Sequence, residues 1–479
     1  MRTPTICALA ACAALAPLGT AAGTPSATDP RDWRWVQGAV FVPTNAVNEA
    51  QQWDEYDPAV NERELRYASV YGINVVRVYL HYGVYLKKRE ALLAEIEDFL
   101  ARAHAHGIRT EFVFFDDCWN EPPADLGSAA YRYPAPLRGV HNSQWLVSPG
   151  EDARAHFEAH QGRLKAYVQD IVRAHVSDPR VAFWEIYNEP KNEEATRRLE
   201  RAARDWIRET GTPIPSTATG GEFSGGPFSD FPSWHVYGSY NVGGDLHSLC
   251  TECMNRKGQT VPGIVEHFRG KVGYIFWELG IGRDNCRFAW DDKRGHERAD
   301  EPGTPFHGIV YPDGHPWSLD DARALLGAEG FARTPFFLVR YYRDPAFSQL
   351  AKTSVTPSID FDLGDEPGTG SPDASAGVPR EHYSIEYTGR FRAASGRAFA
   401  IRADSDGRLQ VWVDGRSVLT KASPGRSTAE GTVALEPGTT HDVKIRYVHG
   451  TGPTSLHLTG SAPGTPAGLL EPATHPEAL

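Results

Sequence analysis

The chain lacks most of the features that would assign it to a specialised class. It carries no block of Lys and Arg, and its formal net charge is −12, which argues against nucleic acid or an anionic membrane as a partner. Beyond the N-terminal segment no apolar run approaches the roughly 20 residues needed to span a bilayer. Cysteine is scarce, with six in 479 residues, two of them within the first 12. The four that remain are Cys118, Cys250, Cys253 and Cys286. Cys250 and Cys253 have a Cys-x-x-Cys spacing, but no second pair of Cys or His follows at zinc-ligand distance, which argues against a metal site. A disulfide and buried free thiols both stay open.

What is present points to export and to two domains. Arg2, an apolar stretch of Ala, Leu and Cys, and the small residues Thr20-Ala21-Ala22-Gly23 make the three-part pattern of a secretory signal peptide over residues 1–23. The protein is therefore expected to be secreted or periplasmic. Leu9-Ala10-Ala11-Cys12 also fits a lipoprotein box, with few residues before the Cys. A length of 479 residues with 41% apolar content exceeds one ordinary domain and suffices for large cores.

Between residues 36 and 330 apolar runs alternate with helix-period segments, the pattern of a parallel sheet wrapped in helices. Eight strands are expected, at Gly38–Val42, Ile73–Leu80, Ile108–Phe115, Val181–Tyr187, Ile214–Thr217, Ser233–Tyr237, Leu246–Thr251 and Gly273–Trp277. Helices are expected after Asp57-Pro58, over Lys88–His106 with Gly107 as the stop, over Glu151–His175, Val261–Phe268 and Leu319–Leu326. Eight strand-helix units predict a (β/α)8 TIM barrel over residues 31–332.

In such barrels the chemistry sits beyond the carboxyl ends of the strands. The run Phe183-Trp184-Glu185-Ile186-Tyr187-Asn188-Glu189-Pro190 ends an apolar strand in a carboxylate, and the proline stops the strand there. Glu189 is the first catalytic candidate. Its partner is Glu252, after the seventh strand, or Glu278, after Tyr274-Ile275-Phe276-Trp277. Choosing Glu278 would require His307–Tyr311 to be the eighth strand, so Glu252 is favoured. Arg77 interrupts the second strand with a permanent cation. Asp116-Asp117-Cys118-Trp119-Asn120 opens a long loop to Gly150, whose length and aromatics favour a binding role. Glu222 in Gly220-Gly221-Glu222-Phe223 is a weaker substrate candidate.

Asn188-Glu189-Pro190, Thr251-Glu252, Arg77, His235-x-Tyr237 and Trp277, in that order on strands four, seven, two, six and eight, resemble clan A of the glycoside hydrolases. These are the retaining β-glycosidase barrels that include cellulases and mannanases. The resemblance implies Glu189 as acid/base and Glu252 as nucleophile. It implies Asn188 on the substrate 2-hydroxyl, Arg77 and Tyr237 holding the nucleophile ionised, Trp277 as the floor of the sugar subsite, and His235 and Trp119 near substrate. It implies no cofactor. Set among Trp and Tyr, Glu189 is expected to have a raised pKa that keeps it able to donate. Two features depart from the clan: little chain separates strand six from Glu252, and cysteines flank Glu252. His141-Asn142-Ser143-Gln144-Trp145 resembles a secreted bacterial branch of the clan whose substrate is not defined.

From about Phe336 short alternating strands take over, at Tyr383–Gly389, Ala398–Arg402, Val411–Gly415 and Val443–Val448, which predicts an all-β sandwich over 336–462. Val411-Trp412-Val413-Asp414-Gly415 and Tyr387-Thr388-Gly389-Arg390-Phe391 resemble the protective antigen domain. Its calcium-dependent sugar binders use two consecutive Asp; Asp404-Ser405-Asp406-Gly407 lacks the pair. Residues 463–479 are expected to be a disordered tail. The sequence thus points to a monomeric retaining β-glycosidase acting on β-glycans or β-glycosides. A non-catalytic carbohydrate-binding barrel and a transglycosidase are the alternatives.

Overall fold

The computed structural model describes residues 29–219, 228–241, 244–290, 301–364, 371–393, 398–463 and 465–477; the expected leader over 1–23 and Glu222 lie outside them. Eight parallel strands form the first sheet: β1 (Gln37–Val40), β2 (Val75–Tyr79), β3 (Arg109–Asp116), β4 (Val181–Asn188), β5 (Ser216–Thr219), β6 (Ser233–Val236), β7 (Leu249–Cys253) and β8 (Gly273–Phe276). Their order is β5-β4-β3-β2-β1-β8-β7-β6. The seam between β5 and β6 is closed by other means. Asp230 N–H donates to Ser216 O at 2.7 Å, and Ser233 Oγ bonds Thr217 Oγ1 and Thr219 Oγ1, each at 2.7 Å. The fold is a (β/α)8 TIM barrel followed by an all-β sandwich.

β2, β4 and β7 are buried on both faces, as parallel strands between a barrel core and outer helices must be. Close approach at the barrel base explains Gly273, where a Cβ would meet Trp33 O at 2.4 Å. The helices are α1 (Glu49–Asp54), α2 (Pro58–Val70), α3 (Tyr82–Ala105), α4 (Glu151–Ala155), α5 (Phe157–Ala174), α6 (Glu194–Glu209), α7 (Val261–Phe268) and α8 (Leu319–Arg333). α2 starts where Asp57 accepts the Ala59 and Val60 N–H groups at 2.8 and 3.2 Å, with Pro58 in the first turn, a standard cap. α3 begins before the expected Lys88, which instead marks a kink (φ −145°, ψ 48°), and stops ahead of Gly107 at φ +73°.

Two expectations on the barrel change. No helix follows β5 or β6 among the described residues, and the eight helices are not distributed one per strand, since two follow β1 and two follow β3. β7 runs to Cys253, so Glu252 stands within the strand rather than after it. Val310 makes only isolated bridges, parallel to Gly280 and antiparallel to Pro316, and His307–Tyr311 is no barrel strand.

The sandwich contains β9 (Phe337–Tyr342), β10 (Leu350–Thr356), β11 (Asp360–Gly364), β12 (Ser384–Arg392), β13 (Ala398–Ser405), β14 (Arg408–Val413), β15 (Arg416–Lys421), β16 (Ser427–Ala434), β17 (Thr440–Val448), β18 (Thr454–Ser461) and β19 (Gly468–Leu469). One sheet runs β10-β9-β12-β17-β14-β15 and the other β11-β18-β13-β16, with β19 paired to β18. The expected disordered tail is corrected. Its Leu470 is 3% exposed, Ala473 N–H donates to Arg390 O at 2.7 Å, and Phe336 N–H donates to Thr474 O at 3.2 Å.

The two domains share a polar and aromatic seam. Tyr67 OH donates to Asp360 O at 2.8 Å, Tyr341 OH to Asp313 Oδ2 at 2.6 Å, and the Tyr71 ring stacks on Phe336 with centroids 5.8 Å apart. Lys352 Nζ donates to Trp317 O at 2.8 Å and pairs with Asp373 at 2.5 Å. No helix among the described residues is long and apolar enough to cross a membrane. Cys118, Cys250, Cys253 and Cys286 are all free thiols, which resolves the choice left open by their spacing.

Candidate active site

Arg77 on β2, fully buried, is the hub of the barrel's carboxyl-end face. Its Nε and Nη2 grip Glu185 on β4 at 2.7 and 2.8 Å. Nη1 donates to Glu252 Oε1 at 2.7 Å and Nη2 to Asn188 Oδ1 at 2.8 Å. A weaker contact, 3.3 Å, reaches Glu111 on β3. Burial alone would lower the guanidinium pKa, but Glu185, Tyr79, Glu252 and Glu111 together raise it well above its ordinary value. Glu111 is pushed up by burial and by Glu185, whereas Arg77 and Glu111 hold Glu185 down in spite of its burial. The two carboxyl groups thus shift in opposite directions around one guanidinium.

Glu189 follows β4 in a left-handed turn, φ +43°, with its N–H bonded to Thr219 O at 2.7 Å. Non-glycine residues rarely adopt that region. The turn aims the side chain across the barrel mouth. His235 on β6 sits between the two sequence-identified carboxyl groups, its Nδ1 at 2.7 Å from Glu189 Oε1 and 3.3 Å from Glu252 Oε2. One donor atom from each of Glu189, His235 and Glu252 lies within 4.8 Å of the others. Glu252 further accepts from Tyr237 OH at 2.7 Å and from Tyr79 OH at 3.0 Å. Asn188 Nδ2 donates to Asp116 Oδ1 at 2.8 Å, which fixes the amide with its oxygen toward Arg77.

The expected upward shift of Glu189 is corrected. Burial does raise it, but the hydrogen bond and charge of His235, with help from the Cys118 thiol at 3.2 Å, outweigh burial and hold it at about 2. His235 moves the opposite way. Burial would lower it, yet Glu252 and Glu189 raise it above its ordinary value. At rest the proton of the pair is on the imidazole, and the aromatic surroundings are overruled by one ring nitrogen.

Trp277, 6% exposed, packs with Tyr79 and Trp145, ring centroids 6.0 and 5.4 Å away. Trp119 packs on His141 at 5.2 Å, and Trp290, 43% exposed, stands edge-on to Tyr237 at 4.8 Å. Glu278 does not join Glu189. It is 1% exposed and clusters with Asp284 and Cys286, where burial and the charge of Asp284 push its carboxyl well up. The structure thus gathers Glu189, Glu252, Arg77, Asn188, His235 and Tyr237 into one hydrogen-bonded set, with Trp277 in the adjoining aromatic wall. Tyr79, Glu185, Cys118 and Trp290 were not singled out from the sequence. Tyr79 lies two positions after Arg77, on the same face of the strand, and that spacing was the available signal.

The sandwich holds a cavity of about 340 Å³ lined by residues that include Asp362, His382, Asp406 and Arg426. Asp406 is already bonded to Tyr447 OH, His449 Nδ1 and Ser455 N–H at 2.8, 3.0 and 2.6 Å.

Residues 339–464 match the PA14 domain model. The anti-sigma-I factor RsgI3 of Acetivibrio thermocellus is 28% identical over 123 residues, which are 26% of this chain and 18% of that protein. The chain thus spans under a fifth of the length of the curated relative it matches. Among solved structures, an anti-sigma factor domain-containing protein is 24% identical with TM-score 0.27, covering 29% of this chain and 46% of its own. A PA14 sugar-binding domain from an RTX adhesin is 18% identical with TM-score 0.26, covering 30% and 99%. The chain is similar to each of these over less than a third of its length.

Proposed function

We propose that the barrel is a retaining β-glycosidase, with Glu252 as nucleophile and Glu189, working with His235, as acid/base. The observation that carries this reading is that Glu189 and Glu252, 252 − 189 = 63 positions apart, reach the same imidazole nitrogen, with donor atoms within 4.8 Å. Retention uses carboxyl groups about 5–5.5 Å apart, whereas inversion needs about 6.5–9.5 Å to admit a water. Arg77, Tyr79 and Tyr237 all donate to Glu252 and fix it for in-line attack. The exposed face of Trp290 and the nearby Trp119 suit stacking on the apolar face of a β-glycan. The PA14 match at 339–464 is consistent with a second carbohydrate contact.

In the first half-reaction the Glu252 carboxylate attacks the anomeric carbon while the proton shared by Glu189 and His235 passes to the leaving oxygen. In the second, water attacks the glycosyl-enzyme ester and returns a proton to the same pair. A non-catalytic sugar-binding barrel is the second reading. It is favoured by one observation, the His235 and Cys118 contacts at 2.7 and 3.2 Å that favour the ionised form of Glu189. Azide with Glu252→Gly, assayed on activated aryl β-glycosides, separates the two. An inverted glycosyl azide supports the proposal. Rescue of Glu278→Gly instead would move the nucleophile, and a wild-type protein inert across aryl β-glycosides and β-glycans would favour the binding reading.

A further inference from the structure

A second cluster of ionisable groups lies behind the Trp277 wall. Glu278, Asp284 and Cys286 come from one nine-residue stretch after β8, and they are 1%, 2% and 0% exposed. One donor atom from each lies within 4.8 Å of the others. Both Glu278 oxygens and Asp284 Oδ2 are buried without a hydrogen-bond partner, and no Lys or Arg forms an ion pair with either carboxylate among the described residues. Orphaned buried carboxylate oxygens cost several kcal/mol unless a proton or a cation meets them. The Cys286 thiol donates to Asn142 Oδ1 at 2.8 Å, and Trp277 Nε1 donates to its sulfur at 3.2 Å.

We propose that Glu278, Asp284 and Cys286 bind a zinc-class divalent cation, with Asn142 Oδ1 as the nearest fourth donor. Two carboxylate oxygens and one thiolate form a donor set that Zn²⁺ accepts and that hard Mg²⁺ or Ca²⁺ does not favour. Bonds of about 2.0–2.3 Å in a tetrahedron hold donors roughly 3.5 Å apart, so the three need draw in by little more than 1 Å. The ion releases the thiol proton on binding, and Trp277 Nε1 then donates to a thiolate, a stronger acceptor. Asn142 belongs to the loop after β3, which also carries Trp119 and His141. The ion would clip that loop to the loop after β8 and hold Trp277 in place. The site stands apart from Glu189 and Glu252 and does not depend on the catalytic reading.

The test uses the full chain stripped of metal by chelation and dialysed against Zn²⁺ or Co²⁺. One equivalent of Zn²⁺ by mass spectrometry, a rise in Tm on reloading, and a thiolate-to-Co²⁺ charge-transfer band are expected. Cys286→Ala should abolish the band and Glu278→Gln should weaken metal retention at least tenfold. Cys118→Ala, which removes the other thiol close to a carboxyl and histidine cluster, should leave the band unchanged. If Cys286→Ala fails to fold, X-ray absorption of the Zn²⁺ form of the wild type decides, with one sulfur and two or three oxygens expected. No retained metal, a band lost in Cys118→Ala, or a sulfur-free Zn²⁺ shell would overturn the proposal. The carboxyl pair would then be held by a shared proton.

Discussion

Replacing His235 by Leu tests whether the acid is Glu189 alone or Glu189 and His235 together. In the wild type the transferable proton resides on an imidazole raised above its ordinary value of about 6.5, bonded to a carboxylate held at about 2. The pair keeps that proton at low pH and loses it as pH rises through the raised imidazole value. The basic limb of kcat/KM therefore lies above about 6.5. Leu removes both the 2.7 Å hydrogen bond and the charge. Glu189 must then carry the proton itself, at the ordinary glutamate value of about 4.3 or somewhat higher because it is partly buried. At pH 7 a group titrating near 4.3 is protonated in roughly one molecule in 500, against about one in four or more for the intact pair. The expected loss is roughly 10²-fold at pH 7, shrinking to a few-fold near pH 4.5. The assay is kcat/KM from about pH 4 to 9 on an alkyl β-glycoside, whose leaving group needs protonation. A pH-independent loss in His235→Leu would refute the shared-proton reasoning and leave His235 a merely positional role.

Three other outcomes follow from the same geometry. Glu189→Gln should cost about 10²–10⁴ in turnover on poor leaving groups and far less on activated aryl glycosides, and equal losses on both would remove Glu189 from the acid role. Arg77→Met leaves Glu185 and Glu252 buried without their cation, so urea unfolding should reveal a destabilisation of about 3–5 kcal/mol; an unchanged midpoint would contradict the hub. Ending the chain at residue 335 strips Tyr67 and Tyr71 of their surroundings at the seam and removes Tyr341 and Lys352. Calorimetry of the truncated barrel should find Tm lowered by about 10 °C, whereas an unchanged Tm would mean that the seam contributes nothing to barrel stability.

The barrel was legible because a parallel strand buried on both faces reads as an apolar run, and a charged residue inside such a run must have a reason. Arg77 was read that way, Glu189 and Glu252 as carboxylates at the ends of such runs, and Glu185, inside the fourth run, was passed over. Tyr79 was missed because a tyrosine in Val75-Val76-Arg77-Val78-Tyr79 reads as core, and its hydroxyl only becomes informative once Glu252 stands opposite. Cys118 was missed because a lone thiol carries no periodic signal. Among the described residues no helix follows β5 or β6, and the sequence signalled this for β6, where little chain separates the strand from Glu252, but not for β5. The tail was misread because Pro, Gly and Thr composition suggests disorder, while a single pair, Gly468–Leu469, adds a strand and buries Leu470.

The protonation state of Glu189 was the feature least accessible to sequence, since it depends on a ring 46 positions away whose nitrogen faces two carboxylates. That arrangement also bears on how the proposed reaction would run. His235 holds its proton because two negative charges face Nδ1, at 2.7 and 3.3 Å. Ester formation at Glu252 removes one of them. The pair's hold on the proton therefore weakens as the nucleophile bonds to the sugar, which is when the leaving oxygen must receive it. When water later frees Glu252 the second charge returns, and the pair regains the affinity to take a proton from that water. Coupling through one imidazole thus lets the charge lost and restored on the nucleophile set the direction of proton transfer at the acid. On the proposed mechanism it would also let a carboxyl group that is held low at rest serve as the acid at neutral pH.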